Sequence, residues 1–188
     1  MKTYFLVLFT VIFCTVGYSQ IRIGKAIFPY EIQYKDSTEL KLNGGGIREM
    51  LWIDLYSGGL YLPRPMKDPR KVLDLDETMA IRLDIVSKFV TQEKMIKAVQ
   101  DGFQKATFGN TKALNDRINK FIKFFSEPIV KKDIFELVYF KNKGVQAIKN
   151  GKELGWIEGR DFKYALFKIW LGDEPASEAV KLGMLGLE

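Results

Sequence analysis

Residues 47–56 alternate with period two, and large apolar side chains occupy both parities of the alternation. Ile47, Leu51, Ile53 and Leu55 share one face; Arg48, Met50, Trp52, Asp54 and Tyr56 share the other. A strand of this kind must be covered on both sides over part of its length. It therefore requires a layered fold. The preceding Asn43-Gly44-Gly45-Gly46 reads as a flexible break. Gly58-Gly59 reads as a bulge or turn before Leu60-Tyr61-Leu62, which Pro63 and Pro65 end.

The rest of the pattern supplies the layers. Residues 26–34 and 39–42 read as short strands around a turn at Lys35-Asp36-Ser37, and residues 78–86 alternate as another strand. Thr91 caps a helix with Met95, Ala98, Val99 and Phe103 on one stripe. A second helix is predicted over residues 111–126, closed by Pro128. Residues 134–140, 144–149 and 152–157 read as a meander with Asn150-Gly151 as a type I′ turn. A helix behind a cap at Asp161 and a short one after Pro175, ending near Gly183, complete the chain. The architecture is α+β: one antiparallel sheet with helices packed on it.

The N-terminus reads as a targeting signal over residues 1–19, followed by a single domain over residues 20–188. Lys2 precedes an apolar run of about eleven residues, and a helix that spans a bilayer needs roughly twenty. Val16-Gly17-Tyr18-Ser19-Gln20 places small residues at −3 and −1 if cleavage follows Ser19. An acylated Cys14 would want a small residue before it, and Phe13 is bulky. The expected product is periplasmic or secreted, with no stable membrane anchor.

Composition excludes much chemistry. The chain has no histidine and one cysteine, Cys14, inside the expected signal. A histidine base, a catalytic triad, a His- or Cys-ligated metal and a structural disulfide are all ruled out of the mature protein. No cofactor is expected. The 29 basic and 23 acidic residues give +6, but lysines alternate with carboxylates and form no arginine stripe among stacking aromatics. Nucleic acid is therefore not an expected partner. The pattern gives no oligomeric state.

Arg48 is the first candidate site residue. It follows three glycines and shares a strand face with Met50, Trp52 and Tyr56, a setting in which a planar guanidinium suits a carboxylate or phosphate at the mouth of an apolar pocket. The alternative is an edge arginine paired with Glu49 or Asp54, or solvated. Tyr61 is the second candidate, against the alternative of a core tyrosine with its hydroxyl at the rim. Thirteen residues separate the two, so they converge only if Gly58-Gly59 shifts the parity. The aromatics Phe121, Phe124, Phe125, Phe162, Phe167 and Trp170, together with Tyr164, line a cavity or fill the core. Asp84 reads as a solvated or ion-paired strand residue.

Leu42-Asn43-Gly44-Gly45-Gly46-Ile47-Arg48 followed by Leu55-Tyr56-Ser57-Gly58-Gly59-Leu60-Tyr61-Leu62 resembles the chalcone isomerase-like family. Asn150-Gly151, Ile157-Glu158-Gly159 and the run from Ala165 to Asp173 resemble its exported bacterial branch. The resemblance spans residues 42–186. It implies an open-faced β-sandwich, a large antiparallel sheet with helices over one face and a ligand cleft between. The family holds plant enzymes that cyclise chalcones and non-catalytic relatives that bind fatty acids. The resemblance assigns Arg48 to the arginine that faces the cleft in both. It assigns Tyr61, with Tyr56 second, to the tyrosine that the fatty-acid binders add. The enzymes' tyrosine and asparagine fall in residues 88–97, which contain neither, and their C-terminal hydroxyl residue aligns with Ile169.

The reading is an exported, non-catalytic binding protein for an amphipathic carboxylate such as a fatty acid, with Arg48, Tyr61 and Tyr56 as ligand-binding residues and no catalytic or metal-binding ones. The alternatives are an isomerase or lyase of chalcone isomerase type on another substrate, and a ligand-free structural module of the envelope.

Overall fold

Each period-two segment of this chain pairs with its neighbour in sequence, and the result is an antiparallel meander. The computed structural model describes residues 19–34 and 38–188; the turn at 35–37 and all of the expected signal except Ser19 lie outside the described residues. Strands β1 (Gln20–Ile23) and β2 (Ala26–Pro29) form a separate hairpin. Seven strands then follow in spatial order: β3 (Glu31–Gln33), β4 (Glu39–Met50), β5 (Ile53–Leu62), β6 (Met79–Ile85), β7 (Ile134–Phe140), β8 (Gly144–Lys149) and β9 (Lys152–Ile157). The helices are α1 (Pro69–Asp74), α2 (Gln92–Ala106), α3 (Asn115–Ile122), α4 (Arg160–Leu171) and α5 (Glu178–Met184). Residues 112–114 and 123–125 tighten into 3₁₀ turns at the ends of α3, so the long second helix expected from the pattern is interrupted at both ends.

Alternation along the strands separates two cores. Leu60, Ile81, Leu83 and Leu137 face the helices, where Phe103, Phe121 and Phe162 meet at ring separations of 5.3–6.3 Å. Tyr61, Ala80 and Val138 face the other way and are covered by Ile23, Ala26 and Phe28 of the β1–β2 hairpin. The sheet is thus covered on both sides, as the two-faced apolar pattern requires. The helices lie on one face.

Three expectations about the middle of the chain are corrected. Residues 47–56 are not one strand: β4 ends at Met50, β5 begins at Ile53, and Leu51-Trp52 make a two-residue turn. Both turn residues have positive φ, 50° and 67°, as a type I′ turn demands. For residues with a Cβ this costs roughly 1–2 kcal/mol each. The turn shifts the parity by one residue, and a bulge at Leu55 shifts it back, so Arg48 lies directly opposite Tyr56. Asn43-Gly44-Gly45-Gly46 is not a break but the middle of β4, and Gly58-Gly59 pairs with it in β5.

These glycines are docking surfaces. A methyl group placed on Gly46 would lie 2.7 Å from the Ala179 carbonyl and 2.8 Å from the Val180 Cα of α5. On the opposite face, a methyl on Gly59 would lie 2.8 Å from the Phe28 ring. Backbone therefore packs on backbone, and α5 can lie closer to β4 than any side chain would permit. Asn43, bulged out of the ladder, ties the assembly together: its amide donates to the carbonyls of Met66 and Met184 at 2.9 and 2.8 Å.

Buried charge is partnered. Lys163 is fully buried on α4 and donates to the carbonyls of Leu73 and Leu75 at the C-terminal end of α1. Burial pulls its ammonium down to about 8. On the hairpin-covered face Arg82 grips Asp84 through both carboxylate oxygens, at 2.7 and 3.1 Å. Glu136, opposite Arg82 on β7, is left with the Tyr34 hydroxyl at 3.3 Å. Burial pushes the Glu136 carboxyl above the ordinary range.

Two outcomes follow from this packing. Gly46→Ala drives a methyl group into helix backbone and should destabilise the protein by about 2–3 kcal/mol. Gly58→Ala meets the flexible end of Met184 instead and should be milder; urea unfolding of the pair checks the order. For Glu136, a folded-state pKa above the unfolded one means that stability is full when both states are protonated and falls as pH rises through the folded-state value. Glu136→Gln should flatten that decline and match or exceed the parent's stability at pH 7, read from thermal melts between pH 4 and 8.

Candidate functional site

The turn end of the β4–β5 hairpin, one face of α2 and the segment after α4 enclose a cleft of about 700 Å³. Its interior is apolar, with Tyr56, Leu55, Val90, Met95, Ala98 and Gly102 among the lining residues. Each is there for a local reason. The bulge presents Leu55 and Tyr56 together against one residue of β4. Thr91 caps α2 through the Lys94 amide, and the helix presents Met95, Ala98 and Gly102 to the cleft.

Arg48 lies at the mouth. It is half-buried, and its guanidinium carbon sits 5.8 Å from the centre of the Tyr56 ring. Neither expected partner takes it: Asp54 pairs with Lys25 at 2.8 Å, and Arg48 makes no ion pair or hydrogen bond with any described residue. By contrast Arg64, Arg82 and Arg117 each hold a carboxylate, Arg160 donates to the Asp74 carbonyl, and Arg22 and Arg70 are exposed. Arg48 combines partial burial with an open fork.

Tyr56 is buried in the cleft wall. Its hydroxyl accepts a hydrogen bond from the Trp170 indole at 3.0 Å, which leaves its own O–H to donate. Lys94, Lys97 and Lys105 bring further positive charge to the rim, where Asp101 is engaged by Lys97 at 3.1 Å and Glu174 stands opposite. The arrangement offers donors at the entrance and apolar surface within. Among the described residues no group of three or more potential metal ligands occurs.

Tyr61 does not reach this site. The β5–β6 register runs without a shift from Tyr56 to Tyr61, and five residues place them on opposite faces. Tyr61 is fully buried beneath the β1–β2 hairpin and donates to the Pro29 carbonyl at 2.8 Å. Gly58-Gly59 does not correct the parity, because it is regular strand. Of the two places open to the aromatics, Phe121, Phe124, Phe125 and Phe162 take the core, where they pack edge-on, and the cleft aromatics are Tyr56 and Phe89. Asp84 is ion-paired, one of its two expected states.

The pattern missed Phe89, Lys94 and Lys105. Phe89 is an isolated aromatic before a cap, and nothing in periodicity distinguishes it. The lysines follow from the helix stripe, since residues flanking Met95 and Gly102 must rim whatever the stripe covers. Residues 88–97, where the resemblance places the enzymes' tyrosine and asparagine, form this wall of the cleft with Phe89, Val90, Lys94 and Met95. Ile169 is buried against Gly102.

No curated protein matches this sequence at a significant level. Among solved structures, a fatty-acid binding protein of Arabidopsis thaliana is similar in fold, with a TM-score of 0.69 at 17% identity over 89% of this chain and 96% of that one. The sequence matches the chalcone isomerase-like family model over residues 20–186. A match over nearly the whole of the described chain shows the family: the chain belongs to the chalcone isomerase-like family.

Proposed function

We propose that this protein is an exported, non-catalytic binder of an amphipathic carboxylate, with a fatty acid as the simplest ligand of that class. The observation that carries the reading is Arg48, a half-buried guanidinium at the mouth of an apolar cleft that pairs with no carboxylate among the described residues. A carboxylate there accepts a charge-assisted pair from Arg48 and a hydrogen bond from the Tyr56 hydroxyl. An alkyl chain then fills the interior toward Met95 and Gly102. Each buried methylene contributes about 0.8 kcal/mol, so chain length supplies much of the affinity. The fold relative from Arabidopsis thaliana, named as a fatty-acid binding protein, supports the ligand class. The absence of the enzymes' tyrosine and asparagine from residues 88–97 supports binding without turnover. Tyr61, the residue first expected beside Arg48, has no part in the site.

Arg48→Ala should weaken binding of a fluorescent fatty acid at least about tenfold while the fold stays intact, because a hydrogen bond to a charged group contributes roughly 1.5–3 kcal/mol. Tyr61→Phe should leave affinity unchanged and lower stability by about 1 kcal/mol through loss of the bond to Pro29. Unchanged affinity in the arginine variant would make Arg48 structural and remove the basis of the reading. For export, the N-terminal mass of the recovered protein should correspond to a chain starting at Gln20; an acylated Cys14 or an intact Met1 would contradict processing after Ser19.

A further inference from the structure

The β4–β5 turn presents Leu51 at 81% and Trp52 at 92% exposure, the two most exposed of the large apolar side chains in the described structure. Both occupy left-handed backbone that favours Asn and Gly. Folding alone would select different residues here, since neither side chain packs on the protein and both carry steric strain. The feature sits beside the cleft: Met50, the residue before the turn, lines the cleft and is 51% exposed, and Phe89 across the mouth is 47% exposed.

We infer that this hairpin tip inserts into an anionic lipid surface and holds the cleft mouth against it. Shape argues for lipid over protein. A stable protein interface needs about 800 Å² from each partner, and a two-residue convex tip does not supply it. A tryptophan and a leucine at the apex of a turn match what partitions into the boundary between headgroups and acyl chains. Charge argues for an anionic surface. Among the residues lining the cleft, Lys97 is neutralised by Asp101. Arg48, Lys94 and Lys105 remain, against Glu174. The excess is positive and lies at headgroup height when the tip is buried. Where the ligand is a fatty acid, which rests on the reading above, this posture lets the chain pass from bilayer to cleft without crossing bulk water. The docking itself needs no ligand.

The test compares the parent chain with Leu51→Asn/Trp52→Gly, which supplies the residues a type I′ turn prefers and should raise or preserve the melting temperature. The probes are vesicles of phosphatidylcholine with and without 30% phosphatidylglycerol, carrying brominated acyl chains that quench inserted tryptophan. Expected results are quenching of the parent's emission, stronger on anionic vesicles and weaker with added salt, and at least about tenfold weaker vesicle binding by the variant. Solution affinity for the fluorescent fatty acid should be equal in both, so loss of vesicle binding is distinguishable from loss of the cleft. Absence of quenching in the parent, or equal quenching and binding in the variant, overturns the inference. So does a self-association that the variant abolishes while vesicles go unbound, which would make the tip a contact between copies of this chain.

Discussion

The contact between the glycines of β4–β5 and the backbone of α5 places everything that matters in the site. Where Gly44 and Gly46 oppose Gly183 and Ala179, strand and helix backbones touch with no side chain between them. The same strands on their other face admit Phe28 over Gly59. A hairpin clamped this closely from both sides is stiff along its middle, and its far end projects as a lever whose position is set by the clamp. Arg48, Met50, Leu55 and Tyr56 all lie on that projecting end. Tight packing leaves little room for adjustment, because interiors respond to even one methylene.

The two faces of the sheet divide their work by polarity. The helix-covered face holds the large aromatic core and, at its open edge, the cleft. The hairpin-covered face holds the buried polar set of Arg82, Asp84, Glu136 and Tyr34 beside Tyr61. Charges on that face are satisfied internally, with Arg82 taken by Asp84. Arg48 is different because Met50, Leu55 and Tyr56 beside it are apolar or aromatic, and Asp54, one of the carboxylates expected to hold it, stands opposite Glu49 across the hairpin and is taken by Lys25. A partly desolvated charge without an internal acceptor is tolerated at the mouth, where water still reaches it.

Much of this was legible in the residues. Period-two patterning located β6 to β9 within a residue or two, Asn150-Gly151 announced its turn, and Thr91 announced α2. Arg48 was recognisable because an arginine in an apolar alternation is unusual. The hairpin at Leu51-Trp52 was hidden because neither residue is a turn former, so the alternation appeared to run straight through it. The opposing shifts of turn and bulge restored the parity of Arg48 and Tyr56, and a wrong strand thus put a correct pair on one face. Glycine misled for a related reason. Three in a row suggest freedom, yet here they mark close approach, and only the position of α5 distinguishes the two. Tyr61 was drawn into the site by the resemblance and by the supposition that Gly58-Gly59 shifts the parity; those glycines are regular strand, and the odd separation of Tyr61 from Tyr56 holds it on the other face.

The position of the polar groups also sets how a ligand lies. Leu55, Val90, Met95 and Ala98 offer no side-chain hydrogen-bond donor, and a carboxylate held against them would lose its hydration without compensation. At the mouth it meets Arg48 and the Tyr56 hydroxyl, whose lone pair is already occupied by Trp170 and whose proton therefore points away from the indole. Trp170 thus fixes which of the tyrosine's two roles remains open, and it does so from α4, a buried helix that no ligand need touch. On the proposed reading, a carboxylate head group would be held where water and the rim lysines share its charge, and an alkyl chain would be directed inward along the apolar lining. On the same reading, affinity would depend on chain length and specificity on one guanidinium, because Arg48 stands at the entrance with no ion pair among the described residues.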